Sequence, residues 1–201
     1  MTSRALFATR FYEGTLDDAA LLAELEDACR DLAEQDRAGR AWAKAHRYRG
    51  YTSYASLDDL PWRDPRFGDL VRHLNRHVAR FARDCAFDLG GKRLKLDNIW
   101  VNILKPGGTH SGHIHPHGVV SGTMYVAVPP GSGALRLEDP RLPIMMAAPP
   151  RDPAAGEDFA SFVYAEPTAG TVFLWESWLR HEVMPNAARE DRISISFNYK
   201  W

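Results

Sequence analysis

The stretch RISISFNYKW, residues 192–201, alternates polar and apolar side chains. A period of two residues predicts a β-strand with two different faces. One face carries Arg192, Ser194, Ser196 and Asn198, and the other carries Ile193, Ile195, Phe197 and Tyr199. The polar face either meets water or lines a cavity, and the pattern alone leaves both open.

Other short segments with strand character precede this one, each bounded by Gly, Pro or Asp. They are LKLDNIWVNIL (94–104), GTMYVAV (122–128), ALRLED (134–139), FASFVYAE (159–166) and TVFLWES (171–177). Residues 6–12 could add an edge strand. Many short strands without intervening helices predict an antiparallel sandwich or barrel. The five prolines between Pro140 and Pro153 predict an irregular excursion from it.

The front of the chain has helical periodicity. Thr15 is the expected N-cap of a first helix that runs to Gly39, and a second helix is expected from Pro65 to Cys85. The aromatic and basic segment 41–57 between them predicts a long loop, in which Tyr51 and Tyr54 could cover a site. We therefore expect one domain over 1–201, with helical support over 1–90 and a β core over 91–201.

Composition excludes several classes of function. The 201 residues carry a formal net charge of -1, which gives no general reason to expect nucleic acid or an anionic membrane as partner. Residues 62–95 are locally basic, and a solvated helix face is the simplest interpretation. The two cysteines form no disulfide framework, and neither a signal peptide nor a membrane span is expected. A cytoplasmic location follows as an expectation.

Four of the eight histidines lie in THSGHIHPHGVVSG, residues 109–122. On a strand, His113 and His115 would point to the same face, with Cα atoms roughly 6.6 Å apart. His181, expected at the end of another strand, could supply a third nitrogen. Three histidines with open positions are typical of a catalytic metal site. A surface loop with spare histidines is the alternative.

Arg192 and Ser194 form a second candidate site on the last strand. A guanidinium suits a carboxylate, and a buried arginine needs an anionic partner. Asn102, on the face shared by Asn98 and Trp100, could bind a cosubstrate or form a cross-strand hydrogen bond.

These motifs occur in a familiar order. The chain shows Trp100-Val101-Asn102, His113-Ile114-His115-Pro116, Ser121 to Tyr125, His181 to Pro185, and Arg192 to Asn198. This pattern resembles a bacterial group of 2-oxoglutarate- and Fe(II)-dependent oxygenases related to the prolyl hydroxylases. The resemblance implies a mainly β fold, with a double-stranded β-helix (jelly-roll, cupin-like) core and N-terminal helices packed on the outside of one sheet.

The resemblance also implies roles for individual residues. His113, His115 and His181 would hold Fe(II), whereas Arg192 and Ser194 would bind the C5 carboxylate of 2-oxoglutarate, with Tyr125 as a further candidate. Such an enzyme would hydroxylate a C–H bond and release succinate and CO2. Its partners would be O2 and a small-molecule or peptide substrate, without nucleic acid or membrane, and an edge strand leaves a homodimer open.

One residue departs from the family pattern. His115 stands where Asp or Glu is usual, which makes the ligand set more positive by one charge and suits several metals. His110 and His117 are substitutes if the register differs. Two other functions therefore stay open: a cupin-type three-histidine dioxygenase that does not use 2-oxoglutarate, and a non-catalytic jelly-roll binding module.

Overall fold

The computed structural model describes residues 2–201. Its helices are α1 (Ala19–Gln35), α2 (Arg37–Ala45), α3 (Leu60–Arg63) and α4 (Pro65–Asp84). Its strands are β1 (Phe11–Thr15), β2 (Gly50–Thr52), β3 (Lys95–Leu104), β4 (His110–His113), β5 (Val120–Ala127), β6 (Leu135–Glu138), β7 (Phe162–Ala165), β8 (Thr171–Glu176), β9 (His181–Val183) and β10 (Arg192–Lys200).

The strands form two antiparallel sheets. The larger sheet has the order β1-β8-β5-β10-β3-β2, and the smaller has the order β4-β9-β6-β7. β10 is central, because it pairs with β3 on one side and β5 on the other. The mainly β architecture expected from the sequence is confirmed.

The apolar face of β10 packs against the helices. Ile195 and Phe197 share one buried core with Leu25 of α1 and with Phe67 and Leu70 of α4. Since this face is covered, the polar face of β10 turns toward the smaller sheet. Burial of each of these apolar side chains stabilises the folded protein by about 1.5–3 kcal/mol, and this gain fixes the orientation of the strand.

The first helix differs from its expected bounds. Asp18, not Thr15, caps α1: its Oδ1 accepts a hydrogen bond from the Leu21 amide at 2.9 Å. Thr15 instead ends β1, paired with Thr171 of β8. The helix also stops before Gly39, because Asp36 caps a separate helix α2 by accepting from the Gly39 amide. The second predicted helix, Pro65 to Cys85, is confirmed to within one residue as α4.

Two further expectations about local structure were wrong in part, and two short strands were not among the expected strand segments. The expected edge strand 6–12 overlaps β1 only at Phe11 and Tyr12, although β1 does form an edge. Segment 41–57 is not a continuous loop, since it contains the end of α2 and all of β2. The short strands β4 and β9 gave too few residues for an alternating pattern.

The proline-rich segment is irregular, as expected. Between β6 and β7 the chain makes two short 3-10 turns, at Leu142–Ile144 and Glu157–Phe159. Within residues 2–201, no helix has both the length and the apolar character that crossing a bilayer requires.

Gly50 is expected to be essential for the pairing of β2 with β3. Its φ is 152°, and a Cβ there would lie 1.9 Å from the carbonyl oxygen of Ile103. Gly50→Ala should lower the free energy of unfolding by about 2–5 kcal/mol, from overpacking and an unfavourable φ together. Urea denaturation measures this loss.

Gly90→Ala is the matched control. Its φ is also positive, at 57°, but nothing lies within 4 Å of an added Cβ. This variant should lose only the backbone contribution, about 1–2 kcal/mol. Equal losses in the two variants would contradict the steric argument for Gly50.

Candidate active site

Three histidines meet between the two sheets. His113 and His181 are directly opposite each other in the pairing of β4 with β9, so their ring centroids lie 4.4 Å apart. The ring of His115 lies 5.0 Å from that of His113 and 5.1 Å from that of His181. One potential ligand atom from each residue lies within 4.8 Å of the others. Small side-chain rotations would bring all three to one ion.

The local conformation differs from the expected one. His115 lies just beyond β4, so the pair does not share a strand face. The turn after β4 places the ring instead, because the His115 amide donates to the Ser177 carbonyl at 3.0 Å. His181 begins β9, whereas the sequence suggested a strand end.

The second nitrogen of each ring has an acceptor. The Nδ1 atoms of His113 and His181 lie 2.7 and 2.9 Å from the carbonyl oxygens of Ser111 and Leu179. A carbonyl only accepts, so each Nδ1 carries the proton and each Nε2 keeps its lone pair. Both imidazoles thus have the tautomer that binds a metal through Nε2.

His115 is oriented by a side chain. Its Nδ1 donates to Oδ1 of Asn198 at 2.7 Å, and that oxygen also accepts from the Ser121 hydroxyl at 2.7 Å. The Asn198 amide nitrogen donates to Oδ1 of Asn98 at 2.8 Å. Nε2 of His115 is buried and has no hydrogen-bond partner in residues 2–201. A buried lone pair without a partner is costly, and a metal ion is one group to which an imidazole nitrogen donates it.

Burial keeps two of these imidazoles, His115 and His181, neutral. It lowers the pKa of His181 to about 3 and the pKa of His115 to about 4, because the charged ring would lose its hydration. Neutral rings at pH 7 need lose no proton before they bind a metal.

The two other histidines of the cluster do not join this group. His110 lies to one side, where its Nε2 is 2.6 Å from the Tyr48 hydroxyl, and burial lowers its pKa to about 4. His117 is exposed in a turn with a φ of 76°. The metal-ligating group found in residues 2–201 therefore has the composition that the sequence predicted.

The histidines open into a cavity of about 470 Å3. One wall is aromatic, since Trp100 stacks on His115 with centroids 5.9 Å apart and Tyr54 meets Trp100 edge-on at 5.1 Å. Ser196 and Asn198 of β10 also line the cavity, as does Asn102 of β3, so the polar face of β10 is turned toward the interior. Asn102 accepts from the Thr52 hydroxyl at 2.9 Å and donates to Ser196 at 3.1 Å.

Arg192 lies fully inside the protein without a carboxylate. It is 1% exposed, its Nε has no hydrogen-bond partner, and none of the ion pairs among residues 2–201 includes it. Its guanidinium carbon lies 4.8 Å from the centre of the Tyr125 ring, whose buried hydroxyl also lacks a hydrogen-bond partner in the described part of the chain. Burial raises the pKa of Tyr125, so this hydroxyl stays a donor. A buried, unpaired guanidinium is costly unless an anion joins it.

Not every candidate residue reaches the cavity surface. Arg192, Ser194 and Tyr125 are buried behind it, with Ser194 opposite Asn102 and Tyr125 in the sheet. Tyr54 lines the cavity, but Tyr51 is buried elsewhere and donates to Asp36.

Trp42 and Tyr48 are among the lining residues that the sequence analysis did not single out. Both lie in the segment interpreted as a loop. Asp36 followed by the alanine-rich stretch RAGRAWAKA gave a usable signal for a capped helix there.

Comparisons with known proteins show the family to which this chain belongs. The family model described as "Putative 2OG-Fe(II) oxygenase" matches residues 98–198, half of the chain. The protein therefore belongs to the 2OG-Fe(II) oxygenase family and is an oxygenase of that class. The cofactors inferred from the resemblance, Fe(II) and 2-oxoglutarate, are those of the family. No curated protein is similar enough in sequence to match it.

Solved structures show the same fold at low sequence identity. A prolyl-4-hydroxylase from Pseudomonas putida is 16% identical, with a TM-score of 0.61 over 96% of this chain and 94% of that one. HygX from Streptomyces hygroscopicus, solved with iron bound, is 14% identical, with a TM-score of 0.62 over 96% and 82%. The epimerase SnoN from nogalamycin biosynthesis, solved with Fe3+ and alpha ketoglutarate, is 18% identical, with a TM-score of 0.61 over 96% and 79%. The double-stranded β-helix fold is thereby confirmed.

Asn198→Ala should weaken metal binding by about 10–100-fold, because His115 would lose the acceptor that fixes its tautomer and orientation. Isothermal titration of the metal-free protein with Co(II) measures the change.

Asn98→Ala is the control for this variant. It removes a contact of Asn198 but leaves the acceptor for His115 in place. We expect its Co(II) affinity to stay within about threefold of the parent, the usual scale of one lost neutral hydrogen bond. If both variants lost affinity equally, Asn198 would matter only for packing.

Proposed function

We propose that this protein is a 2-oxoglutarate- and Fe(II)-dependent hydroxylase whose site residues are His113, His115, His181, Arg192, Ser194, Tyr125 and Asn102. The observation that carries the proposal is that one fold contains both a set of nitrogen ligands without a cation and a buried guanidinium without an anion. Three imidazoles offer nitrogen lone pairs to a cation, and a buried arginine lacks an anion.

The residues present fit the metal. His113, His115 and His181 would hold Fe(II) through Nε2, since their Nδ1 atoms are already bound to acceptors. Imidazole is a good ligand for Fe(II), although it also suits zinc, nickel and copper. The set is neutral, so the charge of the metal would be balanced by the cosubstrate and not by the protein.

The residues also fit 2-oxoglutarate. Arg192 would bind its distal carboxylate through the guanidinium, with Tyr125 and Ser194 as hydroxyl donors beside it. Asn102 lies in the cavity wall and could contact the body of the cosubstrate. One dicarboxylate would thus satisfy both the buried cation and the charge of the metal.

When bound together, Fe(II), 2-oxoglutarate and O2 supply the chemistry that hydroxylates a C–H bond and releases succinate and CO2. The chain's own part is to orient and to exclude water. Asn198 and two backbone carbonyls fix the imidazoles, Arg192 anchors one end of the cosubstrate, and Trp100 and Tyr54 cover the reacting region.

The remaining predictions belong to the same proposal. We infer one oxygenase unit over 1–201, with helices supporting a jelly-roll core, that acts on a small-molecule or peptide substrate. Cys29 and Cys85 are free thiols, which supports a cytoplasmic location.

A second function keeps specific support. All three members of the metal-ligating group are histidines, as in dioxygenases that do not use 2-oxoglutarate. In such an enzyme Arg192 would matter only for folding.

Anaerobic titration of the Fe(II)-loaded protein with 2-oxoglutarate distinguishes the proposed hydroxylase from this second function. We expect a saturable visible charge-transfer band at a ratio near 1:1, together with O2-dependent formation of succinate. Metal binding without a band would contradict the proposal and favour the second function. His181→Ala should lose the metal and with it the band.

Arg192→Gln should retain the metal and weaken 2-oxoglutarate binding by at least about 30-fold, because a buried carboxylate would lose its charged partner. Since Arg192 is buried, Tyr125→Phe is a gentler companion that removes only a hydroxyl. We expect a loss of about 3–10-fold in 2-oxoglutarate affinity from it.

Tyr199→Phe provides the control for Tyr125→Phe. Tyr199 is equally buried, but its hydroxyl donates to Asn75 on α4, away from the cavity. The same 2-oxoglutarate affinity in both tyrosine variants would count against the role of Tyr125.

A further inference from the structure

A second concave surface lies between α4 and the segment 87–96 that leads into β3. Its volume is about 810 Å3, and it shares no lining residue with the three-histidine cavity. We call it the basic groove, defined by five exposed cations: Arg76, Arg83, Lys92, Arg93 and Lys95.

The cations of the basic groove are not neutralised. In residues 2–201 none of the five takes part in an ion pair, and the one acid in the lining, Asp88, accepts from the Gly90 amide. By contrast, Arg72 and Arg80 on the same helix are paired with Asp69 and Asp84. The solvated-face interpretation thus suits the paired arginines, whereas the groove carries uncompensated charge in a chain of net charge -1.

The floor of the groove is apolar. Val78, Ala82 and Leu94 are buried there, and Phe87 and Leu96 are half-buried. An apolar floor with a cationic rim complements a ligand that carries both carboxylates and apolar side chains. A nucleic acid strand would instead need aromatic platforms for its bases, and in the described chain the half-buried Phe87 is the single aromatic side chain that lines the groove.

The groove continues toward the three-histidine cavity. An adjoining concave surface shares Lys92, Arg93 and Lys95 with the groove and adds Lys200, whose Nζ lies 2.5 Å from Oδ1 of Asp97. Asp97 lies where the pairing of β3 with β10 shifts register, and it lines the three-histidine cavity. From Lys95 to Trp100, which stacks on His115, β3 covers roughly 17 Å. A bound extended segment of a few residues would span that distance.

We propose that the basic groove binds an acidic polypeptide segment with apolar side chains, and that this segment presents an adjoining residue to the three-histidine cavity. The second half of this statement rests on the proposed function. The groove supplies cationic and apolar contacts for the bound segment. The segment then passes the Asp97–Lys200 ion pair, and the presented side chain contacts the aromatic wall formed by Trp100 and Tyr54. The substrate class is then a polypeptide and not a free metabolite.

Fluorescence anisotropy tests the groove without any metal. The probe is a fluorescein-labelled peptide of alternating glutamate and leucine, and the comparison peptide has glutamine in place of each glutamate. Both peptides are titrated with the full protein chain. We expect the glutamate peptide to bind at least about tenfold more tightly, and its binding to weaken as salt is raised. Equal affinities for the two peptides would overturn the proposal.

Two double variants locate the binding. Arg83→Gln with Arg93→Gln removes two groove cations, whereas Arg72→Gln with Arg80→Gln removes two paired cations and changes the net charge equally. We expect the first to lose at least about fivefold in affinity and the second less than about twofold. Equal losses of peptide affinity in the two double variants would mean that the peptide is attracted by general charge. That result would overturn the proposal that the groove is the binding site. Tighter binding of a single-stranded oligonucleotide, with the same loss in the groove variant, would replace the polypeptide with nucleic acid.

Presentation has its own readout. With Mn(II) loaded in place of iron, the proton signals at one end of the bound peptide should broaden, and His181→Ala should abolish the broadening. A peptide that binds the groove without any broadening would overturn presentation. The anisotropy measurement needs neither metal nor 2-oxoglutarate. If the proposed function failed, peptide binding to the groove would still be measured, so the two failures can be distinguished.

Discussion

The pairing of β10 with β3 and β5 is the constraint on which the rest of the structure depends. Helices α1 and α4 bury the apolar face of β10, so Arg192, Ser194, Ser196 and Asn198 must face the interior. A shift of one residue would exchange the two faces and place a guanidinium in the apolar core. The same pairing brings Asn102 and Asn98 alongside the strand, and with them the hydrogen bonds that organise the cavity.

The site derives its chemistry from groups that the protein leaves unsatisfied. Among residues 2–201, Nε2 of His115, the Tyr125 hydroxyl and Nε of Arg192 are all buried without hydrogen-bond partners, which is costly in a folded chain. A cation and a dicarboxylate would satisfy them together. With His115 in place of a carboxylate, the ligand set would be neutral, so an anionic cosubstrate would have a larger share in balancing the charge of a bound metal.

Charge is separated between the two concave surfaces. The three-histidine cavity is lined by aromatic and amide groups, and the one carboxylate that the described residues bring to it, Asp97, is neutralised by Lys200. The basic groove holds uncompensated cations over an apolar floor. This division suits a substrate that is held by its charged part at one place and oxidised at an uncharged part in another.

The sequence by itself determined the alternating strands, the helix α4 and the identity of the three histidines, because residue periodicity and residue chemistry are local properties. It also contained the ordered motifs of the family. Only the tertiary structure decided that His181 stands opposite His113, since 68 residues separate them and strand pairing sets the distance. It likewise decided that Asp18 and not Thr15 caps α1, because Thr15 is held by β8, and that Trp42 and Tyr48 reach the cavity. These outcomes depend on long-range packing, which competes with local preference and is invisible in a single segment of chain.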